Sequence, residues 1–70
     1  VRGSPLRDGR EGALLAAAQR FEDGARLLRR ASVGLEREVA EPLERVAGLL
    51  SSAARELRSL LDRLREVDRR

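Results

Sequence analysis

Cysteine, histidine, methionine, lysine, tryptophan and tyrosine are all missing from these 70 residues, and the aromatic content is a single phenylalanine, Phe21. Without cysteine there is no disulfide and no thiolate nucleophile. Without histidine there is no imidazole acid-base chemistry, and without either residue none of the usual zinc-ligand spacings can be written. A chain this small buries only a modest share of its surface and usually gains stability from a disulfide, a metal or a partner. Here a partner is the expectation. The lack of methionine suggests a segment of a longer protein, and Arg2-Gly3-Ser4 reads as a cloning remnant. The lack of lysine makes every basic residue an arginine, a pattern read as coding bias ahead of selection for bidentate anion contacts.

No apolar run approaches the roughly 18 residues that a transmembrane helix needs, and no signal-peptide core precedes a cleavage site. The expected setting is soluble and cytoplasmic, or otherwise intracellular. Glycines occur singly. The nearest approach to a phosphate-binding loop, Gly9-Arg10-Glu11-Gly12, follows no strand and lacks the P-loop lysine.

The 12 acidic residues do not form a recognisable site. Paired carboxylates act as general acid and base only in a cleft that separates their pKa values, and helical faces offer none. Glu22-Asp23 with Glu36 and Glu38 lacks the oxygen-rich loop and turn glycine of a calcium site. Most carboxylates have an arginine within helical reach: Glu22 with Arg26, Glu41 with Arg45 and Arg58 with Asp62 are expected as i,i+4 pairs on solvated faces. No enzyme, metal or cofactor is expected.

A net charge of +3 and a pI near 11.2 invite a nucleic-acid reading. The positive charge sits at the ends. Arg2, Arg7, Arg10, Arg69 and Arg70 against Asp8 make the termini +4, whereas residues 11–68 hold ten arginines against eleven acids, a net of −1. The local patch of Arg26, Arg29, Arg30 and Arg37 is interleaved with acids and has no stacking aromatics, so nucleic acid is disfavoured as a partner. An amphipathic helix lying on a membrane would place bulky aromatics beneath a basic face, and Phe21 alone meets that description.

What remains is a composition rich in Leu, Ala, Arg and Glu, which is typical of long helices and coiled coils. Residues 1–10, with Gly3, Pro5 and Gly9, read as a flexible leader, and 11–70 as one helical interaction domain. Asp8 and Glu11 have the spacing of a capping box at the helix start. Leu14, Ala18, Phe21, Ala25, Leu28, Ser32, Leu35 and Val39 then alternate steps of four and three, the heptad rhythm of a buried seam. Leu43, Val46, Leu50, Ala53, Leu57, Leu60, Leu64 and Val67 repeat that rhythm with more leucine, and Ala47, Ala54 and Leu61 widen the face towards a bundle.

The two series are out of phase around Pro42, whose ring removes a helical hydrogen bond. A reversal at Ser32-Val33-Gly34 is the alternative, but the first heptad runs through 32, 35 and 39 without a break, which favours a joint at 40–42. That joint gives helices of about 29 and 28 residues in a hairpin or a Pro-kinked long helix.

The sequence therefore predicts an all-α fold of two long amphipathic helices that builds a coiled coil or helical bundle by oligomerisation. The expected role is non-enzymatic: a scaffold that self-associates as a dimer or tetramer. The predicted interface comprises Leu14, Phe21, Leu28, Leu35, Val39 and Leu43, with Val46, Leu50, Leu57, Leu60, Leu64 and Val67. The alternative is an adaptor that offers the same face to a helical segment of another protein.

Overall fold

The computed structural model describes residues 9–69, which form an antiparallel helical hairpin. Helix α1 spans Arg10–Ser32 and α2 spans Arg37–Arg69. The two pack side by side in an elongated body of 56 × 15 × 11 Å.

Helix α1 begins one residue before the expected domain boundary, so Arg10 belongs to the helix and not to the leader. Its N-cap is Gly9, which adopts a left-handed conformation at φ 91° and accepts the Ala13 amide at 3.1 Å. No side chain caps this end. Asp8, the expected cap, lies outside the described residues, and Glu11 reaches across to α2 instead of back along α1.

The chain reverses at Ser32-Val33-Gly34-Leu35 and not at 40–42. Val33 is extended at φ −64° and ψ 129°, Gly34 has φ 83°, and the Leu35 amide bonds the Ser32 carbonyl at 3.2 Å. These are the features of a type II turn, which needs a positive φ at its third residue and therefore selects glycine. The Ser32 hydroxyl donates to the Arg29 carbonyl at 2.8 Å, satisfying one acceptor of the last turn of α1. Helix α2 starts beyond Glu36, whose carbonyl accepts both the Val39 and Ala40 amides.

Pro42 is accommodated inside α2, which continues through it. The ring sits on an exposed position in the second turn, where the carbonyl that loses its amide donor, that of Glu38, belongs to an exposed residue and can bond water. Helix lengths are thus 23 and 33 residues, unlike the nearly equal pair expected. Val39 explains the misplaced joint. Its spacing to Leu43 and Val46 is four and three, so it belongs to the rhythm of α2, and the break in phase falls between Leu35 and Val39, at the turn.

The core is built from small side chains. Ala18, Ala25 and Ser32 on α1, and Ala47, Ala54 and Leu61 on α2, are the buried residues, each set recurring every seventh position. A residue advances about 100° around a helix, so a seven-residue repeat returns to nearly the same face. A narrow line of methyl groups and one hydroxyl therefore lies between the helices, with Leu61, 2% exposed, the one large side chain in it.

Because Gly34 carries the left-handed conformation, Gly34→Ala should lower stability by about 1 kcal/mol in urea unfolding followed by circular dichroism. Pro42→Ala, which restores an amide inside a continuous helix, should raise it by about 1 kcal/mol. The opposite pair of signs would return the reversal to Pro42.

Candidate functional site

The two sides of the small-residue seam differ in chemistry. On one side of α1 lie Glu22 and Arg29, and on the matching side of α2 lie Ser51, Arg58 and Arg65. Arg58 holds Glu22 with two parallel hydrogen bonds of 2.9 Å, from Nε and Nη2. Arg29 Nη2 donates to Ser51 Oγ at 3.1 Å, and Arg65 donates to Glu11 Oε2 from Nε at 3.1 Å and Nη2 at 2.5 Å. Three bridges between the helices thus close this edge.

These pairings replace the local ladder that the sequence suggests. Glu22 bonds Arg58 and not Arg26, which pairs with Asp23. Arg58 accordingly does not serve Asp62, which lies 3.8 Å from Arg65. Glu41 is 3.5 Å from Arg37, on its N-terminal side, and is not paired with Arg45. A fork-shaped guanidinium gains geometry and charge at once when it meets a carboxylate bidentately across a helix pair, which an i,i+4 contact seldom permits. The hydrogen bonds from Arg58 hold the Glu22 carboxyl below its ordinary range, helped by the positive charges of Arg58 and Arg26 against desolvation and the neighbouring Asp23. The same contact raises Arg58.

The opposite edge carries no such bridge in the described residues, and it is apolar. Leu14, Phe21 and Leu28 of α1 and Leu43, Leu50, Leu57 and Leu64 of α2 line it, each partly covered. Outside them on α2 run Val46, Leu60 and Val67, with 45%, 48% and 52% of their surface exposed. Leu50 reaches α1: a Cβ built on Gly24 would meet its Cδ1 at 3.2 Å. Gly24 therefore admits Leu50 against the backbone of α1.

Eleven of the twelve residues expected at an interface are thus on this one edge, where Val39, 53% exposed in the first turn of α2, extends the row of Val46. Leu35 stands apart in the turn, 44% exposed. The residues buried within the hairpin are different ones, Ala18, Ala25, Ala47, Ala54 and Leu61, which the sequence places beside the leucines. A small residue at every seventh position, Ala18 and Ala25 on α1 and Ala47 and Ala54 on α2, is the signal that marks all of them but Leu61.

Two surface grooves run along α2, one lined by Ser59, Asp62, Arg63, Glu66 and Val67 and another by Glu56, Ser59, Leu60 and Arg63. Among the described residues no cluster of carboxylates is placed to hold a metal ion, and no helix is long and apolar enough to cross a membrane. No family model, curated protein or solved structure matches the chain.

Glu22 has a lowered pKa in the folded state, so its stabilising effect is present at neutral pH and is lost as the pH falls through that lowered value. Glu22→Gln should therefore lower the melting temperature at pH 7, and the difference from the parent chain should close in acid, below the usual carboxylate pKa of about 4.3. A difference that persists unchanged at low pH would show that the charge is not what the bridge supplies.

Proposed function

We propose that this chain is a non-enzymatic self-association module, in which the open apolar edge of one hairpin is covered by another to complete a helical bundle. The observation that carries this reading is the asymmetry of the two edges. One is sealed by Glu22, Arg58, Arg29, Ser51, Glu11 and Arg65, while the other leaves a continuous strip of leucine and valine in contact with water.

Contiguous apolar strips bordered by polar residues are the usual mark of a protein contact, whereas scattered exposed apolar residues need no explanation. Antiparallel helix pairs become stable bundles when a second pair covers such a strip. The seam of alanines supports the same reading, because four methyl groups and one leucine are a small core for two long helices. The module would act by holding copies together and fixing the geometry of whatever is attached to them.

Sedimentation equilibrium tests this directly. A dimer or larger assembly is expected, persisting when salt is raised, because apolar burial and not ion pairing drives it. Leu60→Asp should return the chain to monomers, with an affinity loss of at least tenfold. Leu60 is half exposed within a single hairpin, so its loss does not by itself disturb the alanine seam. A folded monomer in the parent chain, or an assembly indifferent to Leu60→Asp, would contradict the proposal.

A further inference from the structure

The self-association reading leaves open how two copies face each other, and the apolar edge carries information on that point. A two-fold axis makes residue i of one copy touch residue j of the other while j touches i. If the axis crosses the helices at right angles, each helix row at the contact is met by its own reversal. The row must then look alike when read in either direction.

Two rows on the open edge have this property. On α2, Val46 and Leu60 stand seven residues either side of Ala53, and Val39 and Val67 stand fourteen either side. On α1, Leu14 and Leu28 stand seven residues either side of Phe21. The centres also coincide in height. Gly24, three residues after Phe21, approaches Leu50, three residues before Ala53, and the helices are antiparallel. Phe21 and Ala53 are therefore level, and one axis can serve both rows.

We infer that two copies of this chain pack through their open edges about a two-fold axis perpendicular to the helices at the level of Phe21 and Ala53, so that α2 runs antiparallel to α2 of the second copy and the turns lie at opposite ends. This rests on self-association and specifies its geometry. Ala53 then faces Ala53 of the second copy, and Val46 of each faces Leu60 of the other.

The chain has no cysteine, so single-cysteine variants of the full sequence report cleanly with a short bis-maleimide cross-linker. Ala53→Cys should cross-link to itself, and a mixture of Val46→Cys with Leu60→Cys should give the mixed product. Neither of the latter two should cross-link alone, because each lies about 21 Å along the helix from its own copy. Sedimentation of each variant before reaction establishes that it still associates. Associated chains that cross-link at Val46→Cys or Leu60→Cys alone, or that fail to cross-link at Ala53→Cys, would overturn this geometry and leave self-association standing. Chains that are monomeric throughout, in the parent as well as the variants, would overturn both.

Discussion

Two helices can approach only as closely as the side chains between them permit, and in this hairpin that limit is set by alanine. Ala18 and Ala25 on α1 meet the face of α2 that carries Ala47 and Ala54, and Leu61 and Ser32 occupy the ends of the same two rows. The close seam has two consequences. It brings long arginines within reach of the opposite helix, which makes the bridges from Arg58 to Glu22 and from Arg65 to Glu11 possible. It also pushes the larger leucines to the flank, since a row of methyl groups leaves no space for them between the helices.

Which flank receives the leucines follows from the order of residues around each helix. In α2 the rows of Leu43 and Val46 lie on one side of the Ala47 row, while the row of Ser51, Arg58 and Arg65 lies on the other. In α1 Leu14, Phe21 and Leu28 lie on the first side and Glu22 and Arg29 on the second. Antiparallel packing matches like with like. Exposed ion pairs contribute modestly to stability, so the polar edge acts mainly to fix register and to keep that side wet. The apolar edge is consequently where a bundle would grow.

The all-helical class, the two helices, the heptad rows and the extra width supplied by Ala47, Ala54 and Leu61 are all legible in apolar spacing alone. The position of the reversal is not, for a specific reason: Leu35 and Val39 happen to continue the four-three alternation across a turn, so periodicity conceals what Gly34 signals through its backbone freedom. Pro42 then draws the expected joint to itself, although a proline early in a helix and facing water is tolerated. The ion pairs escape sequence spacing because it sees only i,i+4 neighbours, whereas Glu22 and Arg58 are 36 positions apart and meet only once the register is set. The division between buried alanines and flanking leucines is also beyond its reach, since it depends on which row faces the partner helix, and that is decided by the packing of both.

If the open edge is covered by a second copy, folding and association are coupled, and the midpoint of thermal unfolding depends on chain concentration by mass action. Circular dichroism melts over a roughly hundredfold range of concentration measure this without any variant or partner. A melting temperature that rises steadily with concentration is the predicted result. A midpoint that stays constant across the range, with the chain fully helical at the lowest concentration, would mean that the single hairpin is complete as it stands and would contradict the account.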